Sequence, residues 1–178
     1  MARTDHTNVD LSDVLWSTVG SVRSTWPDEA RDLTPWVIDR LAELGEKLGL
    51  TLKYIDREVR LGDFRADIVA EDDAGRMVVI ENQFGPSDHG HFGQLVLYAC
   101  EAQADVAVWL VADPFGIRTE HCAALRRLNK VFADQIDFYG VQLEVSSEPV
   151  PLGKPAGPVL PRLNVFVRPD DDSCAALT

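Results

Sequence analysis

Cysteine is scarce in this chain of 178 residues, which contains only three. Cys100, Cys122 and Cys174 are odd in number and widely spaced, so they predict neither a disulfide framework nor a zinc site of paired cysteines. Cys100 and Cys122 fall in apolar helical segments, where cysteine usually serves as a small buried hydrophobic residue. We therefore expect no functional cysteine.

Long hydrophobic runs are also missing. No stretch approaches the ~20 apolar residues that a membrane-spanning helix needs. The first ten residues, MARTDHTNVD, lack the apolar segment of a signal peptide. These features predict a cytoplasmic protein with no membrane partner.

Positive charge is in deficit, with 17 Lys and Arg against 29 Asp and Glu, for a formal net charge of −12. This balance argues against sequence-independent binding to nucleic acid, because such binding draws its affinity from Lys and Arg on phosphates. Local patches nevertheless steer association, and Arg126, Arg127 and Lys130 form a small basic cluster on a predicted helix. The net charge alone does not decide for or against a nucleic-acid partner.

Hydrophobic residues make up 46% of the chain, enough to fill the core of one domain. Thr34 as N-cap and Pro35 at the first helical position predict the start of a helix that Gly49 ends. The further predicted elements are strands at 52–61, 64–71 and 77–83, a helix at 91–103, a strand at 106–112, a helix at 120–132 and a strand at 136–145. This order predicts an α/β fold with a mixed central β-sheet flanked by helices.

Composition divides the chain into an N-terminal helix or arm (1–33), a core domain (34–148) and a C-terminal extension (149–178). Proline and glycine are frequent between Pro149 and Pro161, which predicts a linker. Leu163 to Val167 then predicts an edge strand, and the acidic residues beyond it predict a flexible, solvated end.

Two acidic residues interrupt apolar strands on either side of a predicted turn. Residues 73–75 (Asp-Ala-Gly) fit a three-residue hairpin loop with glycine in the left-handed conformation, and this loop places Asp67 opposite Glu81. Opposite side chains lie about 5 Å apart at Cβ, and two carboxylates so close repel each other unless a cation or proton lies between them. Because Mg²⁺ is held by one or two carboxylates with water and phosphate, the pair predicts a divalent-metal site. The alternative is that both acids are exposed on a solvated hairpin.

The segment GDFRAD followed by VVIENQ resembles the motif of the PD-(D/E)XK, or restriction-endonuclease-like, nuclease superfamily. That motif has an acid on one strand and then an acid, any residue and usually lysine on the next. Asp67 and Glu81 match the two acids, whereas Gln83 stands at the lysine position. The IENQ segment with SDHGHFGQL and a later RRLN is similar to a bacterial subgroup that has ENQ in place of ExK. The resemblance runs from about Pro35 to Phe166.

A second motif lies downstream. The segment QLVLY resembles the Gln-x-x-x-Tyr helix motif of the RecB-like and Cas4-like branch, in which a helix brings both side chains beside the active site. Gln94 and Tyr98 are spaced four apart and so share a helix face.

The resemblance implies an αβββαβ core that hydrolyses phosphodiester bonds of nucleic acid, with DNA the expected substrate. A single domain without an obvious reader module is expected to act as a homodimer or with a partner protein. The resemblance implies that Asp67 and Glu81 hold Mg²⁺ or Mn²⁺, and that Gln83 orients a water through its amide in place of lysine. Gln94 and Tyr98 support the site. Arg65 either supplies the missing positive charge or pairs with a nearby acid, Asp63 or Glu81. The alternative function is that of a catalytically weak or inactive nuclease-fold module for binding or assembly, which Gln83 and the net charge favour.

Two further features leave alternatives open. Superfamily members often use an additional acid from the first helix, for which Asp39, Glu43 and Glu46 are candidates, and Glu58 on the first strand is another. The segment Asp88-His89-Gly90-His91 is either a transition-metal cluster or, as we favour, a helix start capped by Ser87 or Asp88.

Overall fold

The structure, a computed structural model, describes residues 22–61, 64–147 and 159–171. The helical elements are α1 (Val22–Thr25), a π-helical turn (Glu29–Leu33), α2 (Thr34–Asp39), α3 (Leu41–Leu48), α4 (His89–Glu101) and α5 (Thr119–Val131). The strands are β1 (Lys53–Leu61), β2 (Phe64–Glu71), β3 (Met77–Phe84), β4 (Val106–Ala112), β5 (Asp137–Ser147) and β6 (Val159–Val167).

The strands form one six-stranded sheet in sequence order. β1, β2 and β3 are antiparallel neighbours, β3, β4 and β5 run parallel, and β6 returns antiparallel to β5. Each parallel connection contains a helix, α4 after β3 and α5 after β4, as parallel pairing requires. The predicted α/β fold with a mixed sheet flanked by helices is confirmed.

Both faces of the sheet are buried. On one face, Leu41 and Leu44 of α3 pack with the sheet residue Ile80. On the other face, Leu95 of α4 packs with Trp109 of β4. All seven residues of β4 are buried, as its continuous apolar sequence predicts.

The β2–β3 hairpin has the predicted register. Pairing runs from Glu71 with Met77 to Ile68 with Ile80, and Gly75 in the loop has a φ of +78°, the left-handed conformation that glycine adopts without strain. Beyond Ile68 and Ile80 the main-chain pairing stops, so the next two residues toward the open end of the hairpin are the acids Asp67 and Glu81.

The helical segment before β1 differs from its prediction. Thr34 is not an N-cap, because the chain is already helical from Glu29 onward and Asp28 caps that turn, accepting a hydrogen bond from the Arg31 N–H at 2.8 Å. Thr34 is instead fully buried and its hydroxyl accepts a hydrogen bond from the Asn82 amide at 3.2 Å. The predicted end is confirmed, since Gly49 has a φ of +78°.

The ends of the chain are described in part. Val22, Trp26 and Leu33, within the predicted N-terminal arm, pack in the core against the sheet. The edge strand begins at Val159, four residues before its predicted start, so the last residues of the predicted linker belong to the sheet. The rest of the linker, the acidic end beyond residue 171 and Cys174 lie outside the described residues. Within the described ranges, no helix is long and apolar enough to cross a bilayer.

Candidate active site

Glu81 lies on the sheet face covered by α4, two residues after Val79, which is buried in the core beneath that helix. Asp67 lies close enough to Glu81 for its charge to act on that carboxyl group. Glu81 is only 4% exposed, and Asp67 is partly buried. This burial contradicts the alternative in which both acids sit on a solvated hairpin.

Glu81 is a buried carboxyl group with an unfilled bonding position. Its Oε2 atom is shielded from solvent and has no hydrogen-bond partner within the described part of the chain. Burial raises the pKa of Glu81 to about 9, and the nearby charges of Asp67, Glu29 and Glu58 raise it further in the same direction. An ionised Glu81 therefore needs a positively charged partner.

Asp67 is held by the main chain of the neighbouring strand. Its Oδ2 atom accepts a hydrogen bond of 2.7 Å from the N–H of Asn82. Burial nevertheless raises the pKa of Asp67 to about 7. The hydrogen bond from Asn82 and the charge of His91 oppose this rise, whereas Glu29 and Glu58 add to it.

Glu29 lies near the acid pair, although no pattern in the sequence predicted it. It begins the π-helical turn, and its Oε2 atom accepts a hydrogen bond of 2.8 Å from the N–H of Phe84 at the end of β3. None of the three predicted helix acids, Asp39, Glu43 and Glu46, is among the charges that act on the acid pair. The only feature of the sequence that pointed to a helix start at Glu29 was Asp28, the capping residue immediately before it.

Glu58 is the other acid near the pair, as the sequence suggested. It occupies the β1 position across from Asp67, since its neighbours pair with Ile68 and Ala66. Its φ of +53° is unusual for a residue with a side chain. Its carboxylate lies 3.5 Å from Nη1 of Arg65.

Arg65 pairs with Glu58, and among the described residues it forms no ion pair with Glu81. Its side chain is 63% exposed, while Asp63 lies outside the described residues. The main-chain N–H of Arg65 donates a hydrogen bond to the phenol of Tyr98. The guanidinium therefore lies at the rim of the acidic site, and the backbone of Arg65 connects β2 to α4.

Tyr98 lies beside the acid pair, where the helix motif predicted it. The residue is 4% exposed. Burial raises its pKa to about 12, with further contributions from the charges of Glu81 and Asp67. Gln94, one turn earlier on the same face of α4, is partly exposed.

Gln83 is 1% exposed and its amide is fully engaged as a donor. Nε2 donates to the carbonyl of Pro86 and to Oδ2 of Asp88, both at 2.8 Å. Oε1 accepts a hydrogen bond of 3.1 Å from the indole of Trp109. Only one lone pair of Oε1 is left for a water, so the predicted catalytic role of Gln83 stays a prediction.

The segment after β3 is a capped helix start. Asp88 accepts a hydrogen bond of 2.9 Å from the N–H of His91, which makes it the N-cap of α4. His89 instead contacts the buried His121, with Nδ1 and Nε2 of the two rings 2.9 Å apart, and His121 lies 2.7 Å from the hydroxyl of Ser87. Burial, followed by the charge of His89, lowers the pKa of His121.

Two carboxylates, those of Asp67 and Glu81, are the groups of this site that could hold a metal ion. Among the described residues, no three His, Cys, Asp or Glu side chains converge closely enough to form a complete protein cage for a metal ion. Mg²⁺ does not require such a cage, because it keeps several waters and binds through one or two carboxylates together with substrate phosphate. Oε2 of Glu81, which has no partner in the part of the chain that the structure describes, fits that pattern beside Asp67.

Comparison with known proteins gives no family assignment, since no family model and no curated protein matches the chain. Among solved structures, the chain is similar to a repair endonuclease from Pyrococcus abyssi, with 17% identity and a TM-score of 0.47 over 62% of this chain and 45% of that one. It is also similar to SfsA from Pyrococcus furiosus in complex with Ca²⁺, with 20% identity and a TM-score of 0.37 over 68% of this chain and 62% of that one. The chain thus spans less than two thirds of either structure, and scores this low carry no functional argument.

Proposed function

We propose that this protein is a divalent-metal-dependent nuclease that hydrolyses phosphodiester bonds of DNA. The observation that carries this proposal is the buried acid pair. Glu81 has an oxygen that no described residue bonds, and burial and the charge of Asp67 raise its pKa to about 9. Burial also raises the pKa of Asp67 to about 7. A buried pair of like charges is costly unless a cation joins it. The resemblance of the surrounding sequence to PD-(D/E)XK nucleases specifies the chemistry for which such a cation serves.

Asp67 and Glu81 are the residues that would hold Mg²⁺ or Mn²⁺. A metal ion bound there would lower the pKa of a coordinated water and offset charge on the phosphate. Glu29 and Glu58 act on both carboxylates through their charges, so they add to the negative field that attracts a divalent cation to the site.

The other residues of the site fix the geometry of the acid pair. The Asn82 N–H holds the Asp67 carboxylate, Glu29 ties the π-helical turn to the end of β3, and Tyr98 joins α4 to β2 through the N–H of Arg65. Rigid placement of carboxylates lowers the cost of ordering a metal-bound phosphate for attack.

The proposal is tested with the wild type and the variants Asp67→Asn and Glu81→Gln, which preserve shape and remove charge. In the wild type, millimolar Mg²⁺ or Mn²⁺ raises the melting temperature and supports nicking of plasmid or cleavage of single-stranded DNA. Both effects are lost in each variant. A wild type that binds neither ion and cleaves no DNA would refute the proposal.

The engaged amide of Gln83 favours a second candidate function. The Gln83 amide is neutral and cannot supply the positive charge of the usual lysine, and both of its donors are already used by Pro86 and Asp88. The alternative is therefore a catalytically weak or inactive nuclease-fold module for binding or assembly. Metal binding without cleavage, together with tight binding to nucleic acid or to a protein partner, would establish this alternative.

A further inference from the structure

The carboxylate of Asp88 caps helix α4 and also contacts the imidazole ring of His91. Oδ2 lies 3.0 Å and Oδ1 3.1 Å from Nδ1 of His91, and Oδ2 also accepts the Gln83 amide at 2.8 Å. Burial opposes ionisation of Asp88, yet hydrogen bonds from the backbone and side chain of His91 prevail and hold the pKa of Asp88 below its ordinary value. The carboxylate is therefore ionised and acts only as an acceptor.

The contact with Asp88 determines which nitrogen of the neutral His91 ring carries the proton. Since an ionised carboxylate can only accept, Nδ1 of His91 must carry hydrogen. In the neutral imidazole the other nitrogen, Nε2, then has a free lone pair. Nε2 forms no hydrogen bond within the described residues, and the side chain is 31% exposed. In its neutral form His91 thus presents a proton-accepting nitrogen that solvent can reach.

The free nitrogen belongs to the helix face that borders the acid pair. His91, Gln94 and Tyr98 follow one another at i, i+3 and i+7 and so line one stripe of α4. Tyr98, at the C-terminal end of the stripe, lies beside the acids, because the charges of Glu81 and Asp67 add to the effect of burial in raising the pKa of its phenol. His91, at the N-terminal end of the stripe, lies close enough to Asp67 for the charges of the two side chains to interact.

We propose that His91 is the proton acceptor for the attacking water, and that Asp88 and Gln83 are positioning residues that fix its ring. This inference rests on the proposed nuclease function and names the group that takes over the usual task of the lysine. The glutamine at the lysine position then has a defined use. Gln83 does not contact the water itself. Its amide donates a hydrogen bond to the carboxylate of Asp88, which orients the ring of His91.

The proposed step is balanced in atoms and charge. A water oxygen forms a bond to phosphorus while one of its protons passes to Nε2 of His91. The bond between phosphorus and the leaving sugar oxygen breaks, and its electron pair stays on that oxygen, which takes a proton from solvent. His91 then releases its proton to solvent and returns to the neutral form.

The test compares His91→Gln with the matched control His89→Gln, which changes a histidine in the same turn that contacts His121 instead. Glutamine at position 91 can still donate to Asp88 but has no basic nitrogen. We expect kcat for DNA cleavage to fall by about 10²–10⁴-fold in His91→Gln, with KM within threefold of the wild type. The control is expected to retain kcat within threefold.

Two measurements that do not depend on activity accompany the kinetics. The melting-temperature rise with Mn²⁺ is expected to survive in His91→Gln. Nitrogen NMR of the wild type, recorded at a pH at which the His91 ring is neutral, is expected to show hydrogen on Nδ1 and a bare Nε2. Loss of the Mn²⁺ response would make His91 a metal ligand, and hydrogen on Nε2 would remove the acceptor, so either result overturns the inference.

The kinetic outcomes separate the inference from the function on which it rests. An active wild type with an equally active His91→Gln variant overturns the role of His91 and leaves the nuclease proposal standing. An inactive wild type that also fails to bind metal overturns both.

Discussion

Gln83 and Asp88 are joined by a hydrogen bond of 2.8 Å from the amide Nε2 to the carboxylate Oδ2. This bond connects the strand that carries Glu81 to the first turn of α4. The same amide bonds the Pro86 carbonyl and receives the indole N–H of Trp109. One buried side chain therefore holds a strand, a loop and a helix in a fixed relation.

Replacing Gln83 should be costly to stability. Gln83→Ala leaves the Trp109 N–H and the Pro86 carbonyl without their partner and opens a cavity, for which we expect a loss of about 2–4 kcal/mol in the free energy of unfolding. Urea denaturation measures this change. The control Gln135→Ala alters an exposed glutamine and should stay within ~0.5 kcal/mol of the wild type. Equal effects of the two substitutions would mean that the bonds of Gln83 contribute little.

The raised pKa of Glu81 predicts that the metal-free protein loses stability as the pH rises. Above about pH 6 the unfolded chain has an ionised Glu81, whose ordinary value is 4.5, whereas the folded chain keeps its proton up to a pKa of about 9. The folded state binds more protons, so stability falls as the pH rises from about 4.5 to about 9, by at most ~1.4 kcal/mol per pH unit for one proton.

Thermal unfolding in EDTA at pH 7, 8 and 9 measures this fall. Other groups titrate in the same range, so the informative quantity is the difference between the wild type and Glu81→Gln. Glutamine at position 81 removes the carboxyl group, and the variant should show the shallower slope. Parallel slopes would contradict the raised pKa of Glu81.

Glu29 should strengthen metal binding without being needed for folding. Glu29→Gln keeps an acceptor for the Phe84 N–H but removes a charge that acts on both Asp67 and Glu81. Loss of roughly 1 kcal/mol of attraction corresponds to an about fivefold higher Kd for Mg²⁺, measurable by calorimetry. Glu43→Gln, which changes an exposed acid on α3, is the matched control and should leave the Kd unchanged. A Kd for Glu29→Gln equal to that of the control would remove Glu29 from the site.

The phenol of Tyr98 should stabilise the hairpin that carries Asp67. Tyr98→Phe leaves the N–H of Arg65 without its acceptor, for which we expect a loss of about 1–2 kcal/mol. Faster amide hydrogen exchange at Arg65 would locate the effect. Tyr54→Phe changes a tyrosine that is 40% exposed and should have little effect. If both variants unfold like the wild type, the phenol has no structural role.

The parts of the site that the sequence predicted are those governed by local rules. A three-residue loop with glycine at its left-handed position determines the hairpin register, so Asp67 and Glu81 could be placed near each other from the sequence. Helical spacing likewise put Gln94 and Tyr98 on one face. Neither inference needed knowledge of distant contacts.

The parts that the sequence did not predict depend on distant contacts. Glu29 reaches the end of β3 from a π-helical turn more than fifty positions earlier, in a region where the predicted helix had not yet begun. The bonds of Gln83 to Pro86 and Asp88 exist because the chain folds back after β3, and no periodicity in the sequence records that path.

The bond from the Asn82 N–H to Asp67 has a consequence for experimental design. Where the two strands cease to pair, the aspartate side chain substitutes for a main-chain carbonyl and extends the ladder by one rung. Asp67→Ala would therefore break the hydrogen bond that closes the open end of the hairpin, as well as remove a charge. Only Asp67→Asn, which keeps an acceptor for this bond, can distinguish the loss of a candidate metal ligand from the loss of local structure.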